Sequence, residues 1–262
     1  MKSIYGIIAR KDLKVVMGNK MIWLPMAILP ILFAVIFPVV IFIIAQFPDN
    51  SSDLQDLSSK LGDASMAGYD SAQLLIYYSI NLMMPGLFLM IPIITASVTA
   101  GSSFVGEREH KTIESLLYAP VRIRDLFTAK MIGAFIPSYC ITLISFILFS
   151  LITIIGQGFY FDNYFFPNWK WMVLIFWLSP AISVLAITVM VIASAKSKTF
   201  QEAQQKIVFI VLPVILLIVG QASGLFYLGT LALLILGLAV FILNYLLLIA
   251  ASNSFVPEKL IK

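Results

Sequence analysis

The chain has 262 residues, 61% of them hydrophobic and 11% charged, with a net charge of +4 and a mean hydropathy of +1.00. A soluble domain carries about 25% charged residues, so this chain has too few to cover a surface in water. An ordinary soluble enzyme, a disordered chain and a nucleic-acid-binding module are therefore excluded, and the class is integral membrane protein.

The first twenty residues read as a short helix lying on the membrane. Ile4, Ile8 and Val15 share one side, Arg10 and Lys14 fall elsewhere, and the basic face suits anionic lipid. Beyond it, gaps between charges mark the spans, because a charge at the bilayer centre costs about 2.5–3.5 kcal/mol on insertion scales. Lys20 and Asp49 bracket 28 uncharged residues, Asp70 and Glu107 bracket 36, Lys130 and Asp162 bracket 31, Lys170 and Lys196 bracket 25, and Lys206 and Glu258 bracket 51. A spanning helix takes about 20 apolar residues, so the first four gaps hold one helix each and the fifth holds two. The break in the fifth is expected near Gly220-Gln221-Ala222-Ser223-Gly224 and Gly229, where the short link can dip back into the membrane. The expectation is an all-α integral membrane protein, a single transmembrane domain over 1–262. Its six helices fall at about 21–46, 74–100, 131–155, 171–195, 207–225 and 229–250.

Six spans put both termini on one side. Of the 17 Lys and Arg residues, 15 fall on the side of the termini, and only Lys60 and Lys170 fall on the other. The positive-inside rule makes the termini cytoplasmic. The 47–73 loop, with Asp49, Asp53, Asp56, Asp63 and Asp70, becomes an acidic extracellular loop. The net charge thus reports topology rather than a nucleic-acid partner. The first apolar run is too long for a signal peptide and no small-residue cleavage site follows it, so its retention is expected.

No Asp, Glu, Lys, Arg or His lies inside any expected span, which counts against a proton- or ion-driven carrier and for energy supplied from outside the bilayer. Eight prolines do lie inside spans: Pro25, Pro30, Pro38, Pro85, Pro92, Pro137, Pro180 and Pro213. Each removes a backbone donor and bends its helix. Ala96/Ala100 and Ser97/Gly101 have the spacing that lets helices approach closely; packing within the chain is the favoured reading and a dimer seam the alternative. Gln46, Asn81, Gln157, Gln221 and Asn244 are read as interhelical hydrogen-bonding residues, Cys140 as a small core residue and His110 as a solvated or interface residue. The aromatic-rich 156–170 segment reads as an interfacial belt.

The 101–129 loop holds the most information. Glu107 and Lys111 stand in the favoured i, i+4 order. Ile113, Leu116 and Leu117 form an apolar ridge, and Pro120 stops the helix. The result is a short, charged, one-sided helix whose ridge calls for a cover, either membrane surface or another protein. The run Glu107-Arg-Glu-His-Lys-Thr-Ile-Glu114-Ser-Leu-Leu-Tyr-Ala-Pro120-Val, followed by Arg122 and Lys130, resembles the signature of ABC-2 type permeases. Those subunits carry a Gly-Thr-Leu-Glu-x-Leu-Leu-x-x-Pro-Val pattern between their second and third spans. Here Lys111 stands where the family commonly has the glycine. The Phe200-Gln-Glu-Ala-Gln-Gln205 loop also resembles the sodium- and drug-export branch.

The resemblance implies an ABC-2 permease fold with an N-terminal interfacial helix and a cytoplasmic coupling helix that contacts a separate cytosolic ABC ATPase subunit. Carried over by position, the coupling interface is Glu107, Arg108, Glu109, Lys111, Thr112 and Glu114. Two permeases, identical or not, and two ATPases would form the working unit, with membrane lipids around it. The chain itself is expected to be no enzyme and to hold no cofactor, since ATP would be bound by the partner subunit. It has no Gly-x-x-x-x-Gly-Lys-Ser/Thr, and no protease-like His-Glu-x-x-His or paired in-span Asp. The family's substrates include drugs, peptides, polysaccharides, lipids and sodium. The lack of in-span carboxylates favours export of an amphipathic organic compound. A membrane anchor or sensor recruiting a cytosolic partner is the alternative from another class, although it would need neither the prolines nor the small-residue seam.

Overall fold

The computed structural model describes residues 18, 20–47, 68–109, 123–195, 197, 199–223 and 228–254. Most of the expected interfacial helix, most of the acidic loop, the 110–122 segment and the link at 224–227 lie outside the described residues. Among those described, every regular element is helical. Six helices are long and apolar enough to cross a membrane: α1 Trp23–Ile44, α2 Ser71–Val105, α3 Thr128–Gln157, α4 Trp169–Ser194, α5 Phe200–Gln221 and α6 Thr230–Ile249.

Several helices begin earlier than the gaps between charges predict, because capping residues set their starts. Asp70 accepts from the Gln73 N–H at 2.7 Å while the Gln73 side chain accepts from the Asp70 N–H at 3.0 Å, a reciprocal pair that starts α2 at Ser71. The Gln73 amide also donates to the Tyr160 carbonyl at 2.7 Å, tying this start to the end of α3. Asn168 accepts from the Trp171 N–H at 3.2 Å and starts α4 at Trp169, so Lys170 sits in its first turn rather than outside it. Thr199 accepts from the Glu202 N–H at 3.3 Å and starts a helix over Phe200–Gln205. The Phe200-Gln205 stretch is therefore the first turns of α5, not a loop. A turn at Lys206 and Ile207 joins it to Val208–Ala222.

The bundle has two ends. At the near end α2 leaves, α3 arrives and the α4–α5 link turns. At the far end stand the last turn of α1, the first turns of α2 and α4, and the 157–168 connection. The core is α2 packed on α4, with α1, α3 and α5 against α2 and α6 against α4. Ala96, Ser97, Ala100 and Gly101 are all buried within the chain. The small-residue stripe is thus an internal seam, and the dimer alternative fails there because its surface is already covered. Hydroxyls in this core bond back to their own helix, as Thr95 does to Ile91 O at 2.7 Å and Ser183 to Ser179 O at 2.9 Å. Thr99 also donates to Ala134 O of α3 at 3.1 Å.

The far end is closed by aromatics. Trp171 is fully buried, with its ring centroid 4.7 Å from Phe149, 5.5 Å from Phe88 and 5.6 Å from Phe166. Gln157 holds this lid in place by donating to Phe166 O at 2.7 Å and accepting from Phe166 N–H at 3.2 Å. The 156–170 segment is therefore only partly a belt. Phe159, Tyr164 and Trp169 face outward, while Phe161 and Phe166 fold into the core. Cys140 also departs from expectation: it is exposed, on the side of α3 toward α1, not packed in the core.

Candidate functional site

Three of the residues singled out for coupling, Glu107, Arg108 and Glu109, sit at the near end. The helix of α2 runs on beyond the span to Glu109, placing Glu107, Arg108 and Glu109 in its final turn. Lys111, Thr112 and Glu114 lie outside the described residues. The helix that becomes α3 begins at Ile123. The 110–122 segment is therefore carried between two long helices, each continuous with a membrane span.

Those helices are clamped together just inside the near end. Lys130, on α3, is 5% exposed; its Nζ donates to Ser103 O of α2 at 2.8 Å and lies 5.3 Å from the centroid of the Phe104 ring. A buried ammonium is held by such a carbonyl and ring because both present negative charge density to it. Beside this clamp, Phe200 of α5 and Met190 of α4 lie against Gly101, where a Cβ would come within 2.6 Å of the Phe200 ring. Glycine is required there for the approach. Lys206 completes the link, donating to Ser197 Oγ at 2.7 Å and pairing with Glu202 at 3.7 Å. Lys130 and the Gly101 approach thus tie the near ends of α2, α3 and α5 together.

The sequence marks Lys130 as a topology charge, the bracket of a span and part of the permease signature, but not as a clamp. The available signal was its position, one residue before an uncharged run, where a lysine can reach back along apolar surface. The contact of Phe200 with Gly101 had a fainter signal, the small-residue spacing without its partner.

A second feature lies between α1 and α3. These helices pack on each other along α1, most extensively where its middle bends. Toward the near end they leave a groove of about 530 Å³ lined by Trp23, Met26, Pro30, Pro137, Cys140 and Leu148, among others. Toward the far end they leave another of about 770 Å³, with Phe42, Gln46, Ile152, Phe159 and Tyr160 in its walls. The Tyr160 hydroxyl donates to Phe42 O at 3.0 Å across the outer one. Neither groove is lined by a charged residue. Both can hold apolar or weakly polar groups, and neither can neutralise a buried ion.

A family model described as ABC-2 family transporter protein matches residues 7–255. No curated protein and no solved structure matches the chain.

Proposed function

Because the chain belongs to the ABC-2 family of transporter proteins, and so is a multi-pass membrane permease that works with an ABC ATPase subunit, we propose that it forms an exporter's translocation path with a second permease and two separate ATPases. In this reading ATP is bound and hydrolysed by the partner subunits. Both termini face the cytoplasm at the cell membrane, and the cargo is an amphipathic compound such as a drug, peptide or lipid. The observation that carries the coupling role is the continuity of α2 to Glu109 and of the α3 helix from Ile123, clamped by Lys130. The charged side chains at Glu107, Arg108, Glu109, Lys111 and Glu114, with the Thr112 hydroxyl, would key into a cleft on the ATPase, and the two helices would carry its closure into the membrane. The uncharged grooves beside α1 support an amphipathic cargo over a bare cation, since a bare ion in such surroundings would lack compensating groups.

Purification from membranes tests this. The wild-type chain is expected to bring an ABC ATPase with it, and the Glu107→Lys/Glu114→Lys double variant is expected to lose most of that subunit while keeping its own fold. Undiminished copurification would overturn the assignment of the coupling surface. Vectorial transport by the chain alone, with no nucleotide hydrolase present, would overturn the whole reading.

A further inference from the structure

Three of the spans contain a π-helical segment, and each segment ends two residues before a proline: Leu32–Ile36 before Pro38, Ser79–Met83 before Pro85 and Leu174–Leu178 before Pro180. Proline has no N–H, and its ring crowds the carbonyl four residues back. Widening the ladder makes room. Phe37, Met84 and Ser179 each donate five residues back, to Leu32, Ser79 and Leu174. The widening leaves carbonyls short of donors inside the bilayer, where each unmade bond is expensive.

A neighbouring helix makes up two of these shortfalls. Asn81 O, the acceptor Pro85 would have used in an α-helix, receives Lys170 Nζ at 2.5 Å. Ile175 O, five residues before Pro180, receives the Tyr139 hydroxyl at 3.3 Å. The first arrangement is the stronger, since its donor is a charged amine on a side chain 5% exposed. Asn168, the cap of α4, adds a bond to Asn81 Oδ1 at 2.7 Å. The start of α4 therefore grips both the carbonyl and the side chain of one residue in the widened turn of α2. Asn81 Nδ2 has no partner among the described residues, although the residue is 2% exposed.

We propose that Lys170 and Asn168 latch the Pro85-widened turn of α2 at the far end, and that this latch releases when the partner ATPase closes at the near end. Lys170 is then a positioning residue acting through the Asn81 carbonyl, not a contact for cargo. The latch stands on the geometry alone; its release rests on the permease reading.

Amide hydrogen exchange over residues 79–86, read in lipid nanodiscs, tests both parts. Without nucleotide, Lys170→Met is expected to speed exchange there roughly tenfold or more, and Lys170→Arg to leave it near wild type. Pro85→Ala supplies the missing N–H, so Pro85→Ala/Lys170→Met is expected to return to slow exchange. Failure of that rescue overturns the latch, because a lysine acting through its charge on lipid or cargo would not be replaced by a backbone donor. If Lys170→Met does not assemble, recovery of assembly in the double variant supports the latch and continued failure overturns it. In the complex with its ATPase, trapping with ATP and vanadate is expected to speed exchange over 79–86 in the wild type. Unchanged exchange overturns the release step, and a chain that binds no ATPase overturns the permease reading while the nucleotide-free comparison still decides the latch.

Discussion

α2 and α6 invert the rule that governs soluble proteins. α6 is among the most apolar of the six spans and α2 is the least, yet 78% of the α2 window is buried against 17% for α6. In water the most apolar segment goes inside, but lipid tails are as apolar as leucine, so apolarity alone gives no reason to bury a helix. What draws α2 inward is the approach of Gly101 to Met190 of α4 and Phe200 of α5, with Ala96 and Ala100 buried along the same helix, and hydroxyls that find carbonyl partners. α6 keeps bulky leucines and isoleucines on a face that solvates well in acyl chains. It meets α4 closely at Gly237, which makes room for Trp177, whose indole N–H donates to Leu234 O at 3.2 Å, and at Asn244, which donates to Ala181 O at 2.8 Å.

Substitutions on the two sides should divide accordingly. The largest effect is expected from Trp171→Ala, which empties the centre of the aromatic lid against α2 and should cost about 3–5 kcal/mol in an unfolding titration in mixed micelles. A loss below about 1 kcal/mol would show that lipid or neighbouring rings refill the site and that packing does not define the core. Next comes overpacking at Gly156, where a Cβ would overlap the buried Phe42 ring. Gly156→Ala is expected to cost about 1–3 kcal/mol by the same titration and to wedge α1 away from α3, visible as faster exchange in the last turn of α1. Lys130→Met removes the clamp between α3 and Ser103 O. It should cost a similar or smaller amount, about 1–3 kcal/mol, and reduce ATPase binding more than an equal loss of stability elsewhere does. Smallest is Leu238→Ala on the exposed face of α6, expected to stay within about 0.5 kcal/mol. A larger loss in the assembled complex, absent from the isolated chain, would place that face against the second permease rather than lipid.

Much of this architecture was readable from charge alone. Ionisable side chains are costly to leave in hydrocarbon, so their five gaps outlined the spans, the last gap holding two. Helix starts were less readable, because a cap such as Asn168 or Thr199 looks like any polar residue until its N–H partner is known. For the same reason Phe200–Gln205 passed for a loop and Lys170 for an outside charge. The aromatic segment was misread in part because a ring at the interface and a ring in a lid have the same composition. Cys140 was misplaced because one face of a uniformly apolar helix cannot be told from another.

The sequence by itself thus determined the membrane class and the number of spans, since both follow from the free energy of moving charge and backbone out of water, which every residue carries with it. Only the tertiary structure decided which helices form the core, which lysines are structural and where the widened turns are fastened. Those outcomes depend on steric fit and on donors meeting carbonyls far apart in the chain, such as Lys170 with Asn81 and Phe200 with Gly101, and lipid, being as apolar as the side chains it touches, supplies no pattern that would announce them.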